Sequence, residues 1–178
     1  MIGVRNRRGY DAVAEYVVSA ARRSGRSLTV FFFDLDGLKA INDTLGHRVG
    51  NQAIKTFADL LSATFTNDDV VARVGGDEFV VLAIGDQESA DDQSLRLQDS
   101  VQHENSDGGH AFKLSYSAGL AVLHPDSDLS LDEALVHTDG FMYEQKKMKE
   151  TRRTAQRRPA MIWGSAGSGH AAKADGSI

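Results

Sequence analysis

The chain has no cysteine in its 178 residues. Disulfides and thiolate metal sites are therefore excluded, and nothing in the chain calls for an oxidising compartment; a cytoplasmic setting is the expectation. No apolar run approaches the ~20 residues that a membrane-spanning helix needs. Arg5, Arg7 and Arg8 stand near the start, but no apolar stretch of a secretory leader follows them. A basic excess is missing too. The formal net charge is −5, and an acidic balance argues against non-specific contact with a nucleic-acid backbone. His47 has no second histidine at metal-ligand spacing, and no internal repeat is visible.

What remains is an ordinary globular composition, 41% hydrophobic and 25% charged, with length for one domain and a sizeable core. Residues 6–23 carry apolar side chains at helical spacing, ended by Gly25. Residues 27–33 are rich in β-branched and aromatic side chains and read as a buried strand. A short helix with Leu38, Ile41 and Leu45 on one face stops at Gly46, and a longer one is expected over 51–65. Residues 70–74 and 79–84 form a hairpin about the turn 75–78. Residues 87–107 have a weak helical pattern, 112–123 a strand interrupted by Gly119, and 131–153 a helix with a basic end. Residues 160–163 suggest a last short strand, and the Gly/Ala/Ser-rich residues 164–178 a disordered tail. Helices and strands alternating around one hairpin imply an α/β sandwich, with helices packed on a mixed central sheet.

Two acidic clusters end apolar strands. Asp34 and Asp36 follow Phe31-Phe32-Phe33, and Asp77-Glu78 follow the glycine turn Gly75-Gly76. Residues two apart in extended chain share a face, so Asp34 and Asp36 point the same way. Packing gives no reason for a buried strand to run straight into carboxylates. Like charges from adjacent strands repel unless a cation neutralises them, and Mg²⁺ prefers oxygen ligands completed by water and phosphates. Lys39, Arg73 and Lys146 are the candidate phosphate partners, each also readable as a solvated surface charge.

In this order the motifs resemble the GGDEF family, the diguanylate cyclases. Gly3-Val4-Arg5-Asn6-Arg7-Arg8 resembles the opening T-G-L-x-N-R-R, and the run from Asp34 to Asp43 resembles D-x-D-x-F-K-x-I-N-D. The run from Gly46 to Asn51 resembles G-H-x-x-G-D. Arg73-Val74-Gly75-Gly76-Asp77-Glu78-Phe79 matches R-x-G-G-D-E-F. Ser117-Ala118-Gly119 resembles S-x-G, and the run from Asp139 to Lys146 resembles D-x-x-M-Y-x-x-K.

The resemblance implies a ferredoxin-like, palm-type nucleotidyl cyclase core over residues 1–163. It implies a homodimer in which two protomers, each holding GTP, form cyclic di-GMP. By this resemblance Asp34, Asp77 and the Leu35 carbonyl hold Mg²⁺ (or Mn²⁺), and Glu78 assists the metal or deprotonates the 3′-hydroxyl. Lys39, Lys146 and Arg73 meet phosphates. Asn42 and Asn51 read the guanine, with Gly37, Leu38 and His47 lining the nucleotide site. Such domains commonly follow a sensor that drives dimerisation, and one is expected upstream.

Four positions depart from the pattern. Asn51 stands where the family usually has aspartate, Thr66 replaces the arginine of the R-x-x-D product-inhibition motif that ends at Asp69, and Leu38 replaces phenylalanine. Glu150 stands where a basic residue is usual, with Lys149 or Arg152 as possible substitutes.

Overall fold

The computed structural model describes residues 3–107 and 109–156. The elements are β1 (Arg5–Asn6), α1 (Arg7–Asp11), α2 (Ala14–Arg23), β2 (Leu28–Leu35), α3 (Leu38–Leu45), α4 (His47–Thr64), β3 (Val70–Arg73), β4 (Glu78–Ile84), α5 (Gln87–Ser106), β5 (Tyr116–Leu123) and α6 (Leu131–Gln156). One mixed sheet runs in the order β1-β3-β4-β2-β5. β2 is antiparallel to both neighbours, β3 and β4 form the expected hairpin, and β1 joins parallel to β3. The α/β expectation holds, with helices on both faces of the sheet.

β2 explains the layering. Its apolar run is buried on both faces, as a central strand covered twice must be. Phe31, Phe33 and Leu35 turn to one side, where they pack with Phe57 and Leu61 of α4 and Leu97 of α5. Leu28 and Val30 turn to the other, toward Tyr10 and Val18 and the start of α6 at Leu131 and Ala134. The aromatic side chains interlock edge to face, Phe57 on Phe79 at 5.3 Å. Asp34 and Asp36 lie just where this apolar strand runs out.

On the second face α6 lies directly on β5. A Cβ on Gly119 would sit 2.0 Å from the Thr138 carbonyl oxygen, so only glycine admits the helix at this distance. Gly119 does not interrupt the strand; it pairs with Phe32 in an unbroken ladder.

Three of the differences from the sequence expectation have a plain local cause. The helix expected over 6–23 is two helices, because Val13 leaves the helical region at φ −120° and its N–H bonds Tyr10 O in a three-residue turn. Gly9 and β-branched Val13 are both weak helix formers. The strand expected from 112 starts at Tyr116, since the Asn105 side chain takes both the N–H and the carbonyl of Leu114. α4 starts four residues early, at His47, as Gly46 at φ 85° resets the chain between two helices. The expected strand 160–163 and tail 164–178 lie outside the described residues.

Candidate active site

The two acidic clusters meet across one ladder. Asp34 of β2 pairs directly with Glu78 of β4, and Leu35 N–H donates to the Asp77 carbonyl at 2.9 Å. Asp34 is 6% exposed, and its Oδ1 accepts from Lys146 Nζ of α6 at 2.8 Å. Burial raises the Asp34 carboxyl above its ordinary value, and Asp77 adds to this against the pull of Lys146. Glu78 is raised as well, by burial and then by Asp77, Asp34 and Asp139. Burial opposes the Lys146 charge, but the Asp34 bond prevails and raises the ammonium.

The glycine turn is held from inside. Arg73 Nη2 donates to the Gly76 carbonyl at 2.7 Å, so the guanidinium expected at phosphate braces the turn in this structure. A Cβ on Gly75 would lie 2.1 Å from Glu78 Oε2; the glycine leaves room for that carboxylate to fold back over the turn. Val74 and Gly75 N–H both bond the Glu78 carbonyl, which keeps Asp77 at the tip.

Asp36 takes a different role from Asp34. It is 7% exposed, and its carboxylate accepts from Ser117 Oγ at 2.8 Å, Ser115 Oγ at 2.7 Å and Lys149 Nζ at 3.2 Å. Burial alone would raise this carboxyl; the two hydroxyls and the ammonium outweigh it and hold it low. Sequence reasoning missed this knot. Its signal was Ser115-Tyr116-Ser117, two hydroxyls at the spacing that puts both on one face of extended chain.

The remaining expected site residues lie on α3 and α4. Gly37 caps α3 with φ 76°, and Lys39 in its first turn is exposed. Leu38 is buried in the core, packed with the cluster that includes Phe57 and Ile54. The half-buried Asn42 packs against α4 at Gly50, where an added Cβ would lie 1.9 Å from Asn42 Oδ1. Asn51 is the next residue, exposed, with exposed His47 one turn before it. At the opposite end of the hairpin, Asp69 accepts from Thr66 N–H, Thr66 Oγ1 and Ile84 N–H, so both its oxygens are engaged within the chain.

Among the described residues no group of three or more His, Cys, Asp or Glu side chains forms a ready-made metal cluster. The site offers Asp34, Asp77 and Glu78 on adjacent strand ends. These all-oxygen donors fit Mg²⁺, which is commonly bound by one or two carboxylates and completed by phosphates.

Comparison with known proteins identifies the family. The family described as "Diguanylate cyclase, GGDEF domain" matches residues 1–152. The chain is 35% identical over 153 residues to the probable diguanylate cyclase DgcC of Escherichia coli K12, covering 85% of this chain and 41% of that protein. It is 35% identical over 143 residues to the bifunctional diguanylate cyclase/cyclic di-GMP phosphodiesterase MucR of Pseudomonas aeruginosa, covering 79% of this chain and 21% of that protein. The GGDEF domain of YfiN (TpbB) from Pseudomonas aeruginosa superposes with a TM-score of 0.67 at 30% identity, covering 83% of this chain and 93% of that one. The chain belongs to the GGDEF diguanylate cyclase domain family. It spans less than half the length of these two curated relatives. No helix among the described residues is long and apolar enough to cross a membrane.

Proposed function

We propose that this domain is a diguanylate cyclase, joining two GTP into cyclic di-GMP with release of two pyrophosphates. The observation that carries the reading is the pairing of Asp34 with Glu78 across β2 and β4, with Lys146 on Asp34. Each 3′-hydroxyl oxygen forms a bond to the α-phosphorus of the GTP on the other protomer, and the bond from that phosphorus to pyrophosphate breaks. Catalysis therefore needs a homodimer. Asp34, Asp77 and the Leu35 carbonyl would hold Mg²⁺ or Mn²⁺, which when bound neutralises phosphate charge. Glu78 receives the hydroxyl proton or assists the metal site, and its raised carboxyl suits a proton acceptor. Lys146 and Lys39 hold phosphates, and Asn42 and Asn51 face the base. Arg73 serves the site by bracing the turn that carries Asp77 and Glu78.

The test is turnover at high protein concentration with Mg²⁺ and GTP, with products identified by mass. Cyclic di-GMP from the wild type, and none from Asp34→Asn, supports the reading. No product, even from copies fused to a dimerising partner, moves it to a nucleotide-binding module without turnover.

Asn51 favours a second reading, a cyclase of relaxed base choice. Guanine presents two donors on its Watson–Crick edge, which a carboxylate accepts together. An amide accepts one and opposes the other, but it suits adenine with one donor and one acceptor.

A further inference from the structure

We propose that Lys149 is a positioning residue for the metal site, acting through Asp36; this rests on the cyclase reading above. Lys146 and Lys149 stand one helical turn apart on α6 and share a face. The first reaches Asp34 and the second Asp36, so one turn of helix is matched to one two-residue step at the end of β2.

Asp36 is the joint in this arrangement. Its N–H donates to the Ser115 carbonyl at 2.8 Å, and its two carboxylate oxygens take Ser115, Ser117 and Lys149. Both oxygens are engaged within the protein. Asp36 follows Leu35 and Asp34 directly and precedes Gly37, whose φ of 76° launches α3. A residue fixed at this point sets the Leu35 carbonyl and the Asp34 carboxylate that immediately precede it.

Lys149 also donates to the Tyr116 carbonyl, and its ammonium lies 5.6 Å from the centre of the Tyr116 ring. With these partners it is committed to the protein. It does not replace the basic residue missing at Glu150 as a phosphate contact. It is the cation that balances a buried carboxylate, and removing it frees the loop rather than the phosphate.

The test compares Lys149→Met, Asp36→Asn and the double variant. Mn²⁺ binding is followed by water-proton relaxation in the presence of a non-hydrolysable GTP analogue, and analogue affinity is measured at saturating Mn²⁺. Lys149→Met is expected to weaken Mn²⁺ about 10-fold, the scale of losing support behind a metal ligand, with analogue affinity at saturating metal unchanged. The double variant recovers most of this loss, because a neutral amide at position 36 needs no ammonium. Lys149→Arg, which keeps the charge, stays near wild type and guards against a general folding defect. Wild-type Mn²⁺ affinity in Lys149→Met overturns the proposal. So does a loss of analogue affinity at saturating metal that Asp36→Asn does not repair, which makes Lys149 a direct phosphate contact. A wild type that binds neither Mn²⁺ nor the analogue fails the cyclase reading itself, and this proposal with it.

Discussion

Lys146 Nζ meets Asp34 Oδ1 at 2.8 Å, closing 112 residues of chain into one contact. It ties the long C-terminal helix to the end of the central strand, where the packed apolar face of β2 gives way to carboxylates. The pair is asymmetric. The Asp34 side chain is 9% exposed and that of Lys146 33%, so the acid depends on the base more than the reverse.

Lys146→Met should therefore act on the fold as well as on phosphate binding. It leaves a buried carboxylate without its cation, a loss on the order of 1–3 kcal/mol. For a domain of this size that is roughly 3–10 °C in Tm. Adding Asp34→Asn should restore most of the Tm but no synthesis of cyclic di-GMP. Calorimetry of the four proteins of this cycle decides it; a Lys146→Met protein as stable as wild type would show that the pair carries no weight.

The raised carboxyls of Asp34 and Glu78 set a pH dependence. The folded state holds these protons more tightly than the unfolded chain does. The two groups thus favour folding below their unfolded values and withdraw that support as pH rises through the folded ones. At neutral pH, without metal, their charges oppose the fold. Glu78→Gln should raise Tm in metal-free buffer near neutrality by roughly 2 °C, while abolishing turnover. Millimolar Mg²⁺ should raise the wild-type Tm near neutrality and do so less as pH falls toward the carboxyl range, where protons compete. A Glu78→Gln protein less stable than wild type in metal-free buffer contradicts this.

Two glycines separate stability from activity. Gly119→Ala drives a Cβ to 2.0 Å from a backbone carbonyl of α6, and neither element yields cheaply. A loss of about 1–3 kcal/mol is expected, read as a lower denaturant midpoint. Gly75→Ala instead meets chiefly the carboxylate end of the Glu78 side chain at 2.1 Å, which can rotate away, with a milder contact to Glu78 Cβ at 3.2 Å. Its midpoint should hold while kcat falls, because the displaced group is the proposed proton acceptor. Equal stability losses in the two variants would remove the distinction.

Much of this was legible in the chain, and the reasons are local. The β-branched and aromatic run through Phe31-Phe32-Phe33 favours a buried strand, and Gly75-Gly76 between apolar segments favours a tight turn, so the hairpin was expected and a meeting of the acids was open to it. The division of labour between Asp34 and Asp36 did not follow. It depends on Ser115, Ser117 and Lys149, which lie about 80 to 113 residues away and reach Asp36 only once β5 and α6 have packed. The bracing role of Arg73 was out of reach for a similar reason. Its charge suggests phosphate, but the nearest acceptor in the folded turn is a backbone carbonyl three residues on. Leu38 came from motif position alone, and its burial follows from facing the core on α3.

Asn51 offers the sharpest test of base choice. It is exposed and follows Gly50, against which the Asn42 amide of α3 is packed. Asn51→Asp supplies a second acceptor for guanine and removes the donor that adenine N1 would use. Exchanging an opposed contact for a charge-assisted bond is worth on the order of 1–3 kcal/mol, or roughly 5- to 150-fold in relative affinity. The GTP/ATP preference should rise by that factor, mostly through KM, with little change in Tm because the side chain is exposed. Competition between the two nucleotides, with products identified by mass, measures it directly. An unchanged ratio would mean that Asn42 and a bridging water already define the base, making position 51 a tolerated variant rather than a selector.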